Sequence, residues 1–226
     1  LEQLYFSTLR SDTLTDIDAK FFSTLLAKHP AIITPLAEYI CGTHINADVT
    51  RITNLIKCIY SSPNYIEHLE LIVLKVEDTP TALHYELSEF LQLTIAKHQG
   101  SDDCDEKKDL WIKHLIQKFN RDEHIMFYLF SVIAHMEDDS RIKYTQEFIQ
   151  HNHDFAYFEH LPLEPLSYSW SCSAVPMYSR QKAFLEKLSP LLTGSKYLKH
   201  RQRVQDSIAW FSKRIEDEQI RDILEN

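Results

Sequence analysis

A chain of 226 residues with 44% hydrophobic, 12% aromatic and 25% charged residues is long and apolar enough to bury a core, and its composition excludes a disordered chain. Its three glycines, Gly42, Gly100 and Gly194, are too few for a loop-rich β fold or a glycine-rich phosphate loop. The net charge of −9 is uneven: residues 1–179 hold 26 Asp+Glu and 14 Lys+Arg, a balance of −12, and residues 180–226 hold 7 and 10, a balance of +3. An acidic body speaks against broad nucleic-acid binding.

Helix start signals and helical apolar spacing recur along the whole chain. Asp16, Asn46 and Asp122 are suited to accept backbone N–H bonds as N-caps. Pro63 and Pro80 supply a fixed φ at or just before a first turn. These signals predict helices over residues 16–28, 31–44, 47–61, 64–77, 81–98, 105–119, 123–137, 140–151, 177–192 and 197–224.

Two of these segments are apolar on nearly every face: "LELIVLKV" (69–76) and "IMFYLFSVIA" (125–134). A helix of that kind lies in the middle of a stack of helices. Helix pairs recur at intervals of roughly 30 to 40 residues, the range of helical repeats. We therefore predict an all-α fold, either an irregular α-solenoid of HEAT-like helix pairs or a multi-helix bundle.

The stretch "LPLEPLSYSWSCSAVPMYSR" (161–180) interrupts this series of helices. Pro162, Pro165 and Pro176 each fix φ and disfavour helix in the preceding residue, so the stretch runs extended or turned. No G-x-S-x-G elbow surrounds its serines, and we predict an ordered strap rather than a catalytic loop. The predicted organisation is a helical repeat-like body (1–160), the strap (161–176) and a C-terminal helical hairpin packed on the body (177–226).

The main functional hypothesis is a non-enzymatic module that binds a protein partner or another domain of its parent chain. Stacked helices leave long side-chain surfaces available for partners, and aromatic and arginine side chains are the usual anchors of interfaces. No catalytic residue and no cofactor are predicted for such a module. The candidate contact residues are Tyr168, Trp170, Tyr178, Lys199, Arg201 and Arg203.

A second hypothesis uses the same basic segment, 196–203, to bind nucleic acid, with cations on phosphates and nearby aromatics for stacking. Against it, the segment continues into an apolar stripe at helical steps of four, three and four residues, which predicts a helix packed on other helices. The cations then form the solvent-exposed beginning of that helix. The stripe consists of Val204, Ile208, Phe211 and Ile215.

A third hypothesis rests on "HNHDFAYFEH" (151–160), in which histidines and a carboxylate are closely spaced. Imidazole nitrogens and carboxylate oxygens are ligands that divalent metals take. The doublet His153-Asp154 resembles that of the all-helical HD-type metal-dependent phosphohydrolases. That resemblance implies a metal site completed by His124 upstream and Asp206 downstream. The alternative for this segment is a polar helix end, where histidines suit the dipole.

The four cysteines lie far apart without a C-x-x-C pair, which favours a reducing cytoplasm over a disulfide framework. The apolar run 125–134 is about half of the length that a bilayer requires, so no membrane association is predicted. The chain begins Leu1-Glu2 without a methionine, from which we expect a fragment of a longer protein.

The last roughly 70 residues, with "LPLEPLSYSWSCSAVPMYSRQKAFLEKL" and "YLKHRQRVQDSIAWFSKRIEDEQI", are similar to the helical C-terminal regions of large multidomain bacterial proteins. Those proteins are ATP-binding (STAND-like) or uncharacterised. The resemblance implies that this chain is a sensing or scaffolding region without an ATP site of its own. It implies an effector and a nucleotide switch elsewhere in the parent protein.

Overall fold

The computed structural model describes residues 16–42, 49–77, 84–95, 102–165 and 173–225. The described residues form eleven α-helices and no β-strand, which confirms the prediction of an all-α fold. The α-helices are α1 (Asp16–Lys28), α2 (Ile33–Gly42), α3 (Val49–Tyr60), α4 (Tyr65–Glu77), α5 (His84–Ile95), α6 (Asp102–Phe119), α7 (Glu123–Ile133), α8 (Asp138–His151), α9 (Phe155–Glu159), α10 (Val175–Leu188) and α11 (Leu198–Glu225). Among the described residues, 3₁₀ turns lie at Pro30–Ile32, Ser189–Leu191 and Ser195–Tyr197.

Helix α7 shows how local chemistry sets the ends of a helix. The Asp122 carboxylate accepts a hydrogen bond from Ile125 N at 2.9 Å, as predicted for an N-cap. At the other end, His135 N and Met136 N each bond a carbonyl three residues back, so the last turn tightens and the helix ends before the predicted residue 137. None of the described helices has the length and hydrophobicity needed to cross a bilayer.

The chain divides into two compact units, Leu1–Leu115 (unit one) and Ile116–Asn226 (unit two). In unit one, alternate helices contact each other: α1 packs on α3, α3 on α5, and α2 on α4. The segment "LELIVLKV" is helical, as predicted, and forms part of α4. It buries Leu69, Ile72, Val73 and Val76, whereas Leu74 is 38% exposed, so the helix is not buried on every face. The predicted boundaries at 160 and 176 stay a prediction.

Polar bonds link three helices inside unit one. Trp111 of α6 is fully buried and its indole Nε1 donates to Thr94 Oγ1 of α5 at 3.4 Å. The carbonyl of Thr94 accepts from the Tyr60 hydroxyl at 2.9 Å, and the Lys107 ammonium donates to the Tyr60 carbonyl at 2.7 Å. A buried indole, two hydroxyls and two carbonyls are thereby satisfied at the ends of α3 and α5.

Unit two is built around the pair α10 and α11, which pack along each other, with α9 on α11 and α8 on α10. Its core is aromatic: Phe130 of α7 and Phe148 of α8 meet edge to face at 5.6 Å, and Phe184 and Phe211 are buried in α10 and α11. In the predicted apolar stripe of α11, Val204 and Phe211 are fully buried, while Ile208 and Ile215 are partly exposed.

Buried arginines hold the non-helical residues that follow α9. Arg141 of α8 is 2% exposed and donates from Nη2 to the Leu163 carbonyl at 2.7 Å and to Gln181 Oε1 at 2.8 Å. Its guanidinium also lies 3.6 Å from the centroid of the Phe184 ring. Residues 161–165, the described part of the predicted strap that precedes residue 173, are non-helical, as their prolines predict.

Candidate functional site

A groove of about 530 Å³ lies in unit two, between the short helix α9 and the first half of α11. Its volume lies within the range of small-molecule and peptide sites. We call it the α9–α11 groove. It is lined by Phe155, Glu159, Lys199, Gln202, Arg203, Asp206, Ser207 and Trp210.

The wall formed by α11 is one continuous helical stripe. Its lining positions 199, 202, 203, 206, 207 and 210 follow steps of three and four residues, so they share one face. The two lining positions of α9, Phe155 and Glu159, are four residues apart and share a face in the same way. The groove therefore has two helical walls with a regular spacing of side chains.

Polar caps at its N-terminus hold α9 in place. The Asp154 carboxylate accepts from Ala156 N at 3.0 Å as the N-cap, and Asn152 Oδ1 accepts from Asp154 N at 2.9 Å. Asn152 in turn donates to the Asn120 carbonyl at 2.6 Å, which ties this turn to the residues that precede α7. Five residues alone make a poor helix, so these bonds and the buried Phe158 fix its position.

Arg203 fixes the other end of α9 to α11. Its Nη1 donates to the Phe158 carbonyl and its Nη2 donates to the Leu161 carbonyl at 2.8 Å. Burial lowers the pKa of the Arg203 guanidinium from its ordinary value, while the carboxylates of Glu164 and Glu159 oppose that shift. An arginine remains cationic under such shifts, so Arg203 is a positively charged wall whose donors already serve backbone carbonyls.

Aromatic rings and cations alternate around the groove. Lys199 lies 6.0 Å from the Phe155 centroid, and the Arg214 guanidinium lies 5.0 Å from the Trp210 centroid. Trp210 is 46% exposed, a large apolar surface left open to solvent at one end. The carboxylates of Glu159 and Asp206 offset the charges of Lys199 and Arg203 within the lining.

The structure brings together two of the six predicted contact residues. Lys199 and Arg203 line the groove, whereas Arg201 is two residues from each on a helix and does not share their face. Tyr178 of α10 packs edge to face on Trp210 at 6.0 Å and lies 5.9 Å from Phe211, so it contacts a lining residue without lining the groove itself. Tyr168 and Trp170 lie outside the described residues.

The four residues of the metal hypothesis have separate roles. Within the described ranges, which include all four, no group of three His, Cys, Asp or Glu side chains is placed to hold a metal ion. His124 packs edge to face on Tyr128 at 4.9 Å, Asp154 is the N-cap of α9, and Asp206 accepts from Gln202 Nε2 at 2.8 Å. The structure does not bring His124, His153, Asp154 and Asp206 together as an HD-type centre.

His153 shows the physical reason most clearly. Its Nδ1 lies 2.6 Å from the Ile149 carbonyl, and a carbonyl requires that this nitrogen carry the proton. Its Nε2 then accepts from the Lys196 ammonium at 3.3 Å. Both ring nitrogens are in use, and a lysine cation occupies the position from which a metal ion would approach.

Five groove residues are not among the predicted site residues: Phe155, Glu159, Gln202, Ser207 and Trp210. In α11 the sequence did carry a signal, because the lining positions from Lys199 to Trp210 recur at helical spacing on a different face from the buried stripe. Phe155 and Glu159 carried none, since a five-residue helix is too short to show periodicity.

Searches of protein-family models, curated proteins and solved structures return no match to this chain. The class of the protein is therefore defined by its fold alone: it is an all-helical protein.

Proposed function

We propose that this chain is a non-enzymatic, helical protein-interaction module that binds a polypeptide segment in the α9–α11 groove. The observation that carries the proposal is the groove lining itself, with the half-exposed Trp210 as an apolar anchor beside charged side chains of both signs. Tryptophan and arginine are enriched among residues that dominate binding energy at protein interfaces.

The charge of the lining favours a polypeptide over a nucleic acid. Lys199 and Arg203 are matched by Glu159 and Asp206, so the groove is close to neutral. A phosphate backbone needs a surplus of cations, and the donors of Arg203 already serve the carbonyls of Phe158 and Leu161. A polypeptide with an apolar residue flanked by charges of both signs complements this lining.

The engagement of the polar side chains supports binding rather than catalysis. Asp206 accepts from Gln202, and Arg203 is fixed by two carbonyls, so both act as walls of defined shape. A rigid wall reduces the entropy lost on binding a partner. The partner segment is supplied by another protein or, as the resemblance to STAND-like C-terminal regions suggests, by another part of a longer chain.

The packing of unit one supports a related proposal about architecture. Contacts between α1 and α3, between α3 and α5, and between α2 and α4 join alternate helices, as in two layers of a helical stack. We propose that unit one is a short, irregular α-solenoid of the HEAT-like kind.

A peptide selection tests the proposed function. The full chain is immobilised, a random-peptide display library is selected on it, and the selected peptides are measured by fluorescence anisotropy. We expect Trp210→Ala to weaken their binding by about 2 kcal/mol, or roughly thirtyfold, because it removes the apolar anchor. Ile220→Ala on the same helix is the matched control, since Ile220 is similarly exposed at 57% and lies outside the groove.

The charges provide a second measurement on the same peptides. Lys199→Glu should weaken peptides that carry an acidic residue, and Asp206→Lys should weaken peptides that carry a basic one. The proposed function is wrong if the selection returns no peptides, or only peptides that bind Trp210→Ala as tightly as the parent protein. It is also wrong if binding falls equally with Ile220→Ala.

A further inference from the structure

A histidine without hydrogen bonds lies directly beneath the wall of the α9–α11 groove. His200 of α11 is 1% exposed, and neither of its ring nitrogens has a hydrogen-bond partner among the described residues. Three aromatic rings surround it: Phe158 at 4.7 Å, and Phe155 and Tyr197 at 5.4 Å each, measured between centroids. Buried polar groups are nearly always bonded, so this position departs from the usual pattern.

The position of His200 connects it to both walls of the groove. The ring contacts Phe155 and Phe158 of α9, and Phe155 is itself a lining residue. Its neighbour Lys199 also lines the groove from α11. The contact between α9 and α11 therefore includes an imidazole ring that is uncharged only while it is unprotonated.

Charged and titratable groups face His200 from every element around it. His153 and Asp154 lie before α9, with Lys196 bonded to His153 Nε2, Tyr197 lies in the preceding 3₁₀ turn, and Arg203 lies on α11. Burial lowers the pKa of His200, repulsion from His153 in its protonated form and from the Arg203 guanidinium lowers it further, and the Asp154 carboxylate opposes them. The fold thus disfavours a proton on this ring through its geometry and through the cations beside it.

We propose that His200 is an acid-sensitive latch that holds α9 against α11 when it is neutral and releases α9 when it is protonated. A proton on the buried ring places a charge among three aromatic rings, next to the Arg203 guanidinium and without a hydrogen-bond acceptor. Release of α9 restores water to that charge. The groove then loses the wall that carries Phe155 and Glu159, and the site that we propose for a polypeptide opens.

The direction of the pH dependence follows from linkage. The pKa of His200 is lower in the folded state than the ordinary value of about 6.5, so the unfolded or released state binds the proton more tightly. The stabilisation from the latch is therefore complete above that ordinary value. It declines as the pH falls below it towards the lower folded pKa.

Hydrogen exchange measured on the full chain tests the latch without any ligand. The amides of Phe158 and Leu161 are bonded to the carbonyls of Asp154 and Phe158, so their protection reports on α9. Exchange at about pH 7.5 and about pH 5 is corrected for the intrinsic rates, with the buried Leu129 of α7 as internal reference. We expect the two α9 amides to lose protection at the lower pH while Leu129 keeps its protection.

Two variants separate His200 from the other histidines of unit two. His200→Phe keeps an aromatic ring without a titratable nitrogen, and it should abolish the loss of α9 protection on acidification. His160→Phe is the matched control, because His160 is exposed and lies at the end of α9. This variant should behave as the unsubstituted protein. The latch is refuted if His200→Phe still loses α9 protection at low pH, or if the parent protein keeps it.

A measurement on the unsubstituted chain keeps the inference testable if His200→Phe does not fold. Imidazole NMR titration of the unsubstituted chain should show that His200, like the buried His68, stays neutral after the exposed histidines are protonated. The neutral form of His200 should vanish as α9 loses protection. A histidine spectrum in which every ring titrates together would overturn the inference. The exchange and NMR results do not depend on any peptide, so they distinguish failure of the latch from failure of the proposed binding function.

Discussion

Replacement of Arg141 tests how the non-helical residues after α9 are held. The side chain is 2% exposed and donates to the Leu163 carbonyl at 2.7 Å and to Gln181 Oε1 at 2.8 Å. Arg141→Ala leaves both acceptors buried, at about 1–3 kcal/mol each, and removes the contact with the Phe184 ring. We expect the free energy of unfolding to fall by about 3–5 kcal/mol, the range for breaking a buried charged contact.

Two further variants divide that loss into its causes. Arg141→Met keeps much of the side-chain volume but no donor, so it should retain a loss of about 2–3 kcal/mol from the two stranded acceptors. Arg180→Ala is the control, because the ion pair of Arg180 with Glu137 spans 3.6 Å between side chains that are 55% and 91% exposed. That control should change stability by less than about 0.5 kcal/mol.

Urea denaturation followed by far-UV circular dichroism measures all three variants under the same conditions. The expected order of destabilisation is Arg141→Ala, then Arg141→Met, then Arg180→Ala. If Arg141→Ala stays within about 1 kcal/mol of the parent protein, the two carbonyl-type acceptors are not held by Arg141 in the way that the structure indicates. If Arg141→Met equals the parent, packing and not hydrogen bonding accounts for the contribution of Arg141.

Three other changes have definite expected results. Gly194→Ala should lower the free energy of unfolding in urea by about 1–3 kcal/mol, because the backbone φ of Gly194 is +90°. The added Cβ would meet no atom within 4 Å, so a collapse of local packing on substitution would contradict this backbone explanation. Asp122→Ala should cost about 1 kcal/mol by loss of the bond to Ile125 N, and Asp122→Asn should restore most of it; equal losses in both would rule out capping. Burial lowers the pKa of His68, so His68→Leu should reduce the loss of stability as pH falls below about 6.5; an unchanged pH profile would exclude this role.

Sequence patterns predict most of the helices because each long helix carries its own local signals. The bounds predicted for 16–28 coincide with α1, and the predicted segment 197–224 matches α11 to within one residue at each end. The apolar stripe of α11 needs burial, and Val204 and Phe211 are buried in unit two. The Ile- and Val-rich segment 69–76 would suit a strand by propensity alone, but it lies between predicted helices and forms part of the helix α4.

The groove could be predicted only in part, because it depends on contacts between distant residues. The cluster containing Lys199 and Arg203 is visible in the sequence, but the carbonyls that orient Arg203 lie 42 and 45 residues away. The "HNHD" pattern suggested metal chemistry because spacing cannot show that Asp154 caps a helix and that a carbonyl and a lysine occupy His153. In the sequence, His200 stands in the basic run "KHRQR", where a buried histidine cannot be told from a solvent-exposed one.

The two arginines that hold the residues after α9 have a consequence for how the sequence can change. Arg141 and Arg203 bind backbone carbonyls of residues 158, 161 and 163, and every amino acid supplies such a carbonyl. The identity of the side chains there is constrained only by apolar volume, while the two guanidiniums have no substitute with the same forked geometry. In a library that samples every substitution, positions 141 and 203 should accept almost nothing, and the residues that they hold should exchange among hydrophobic side chains.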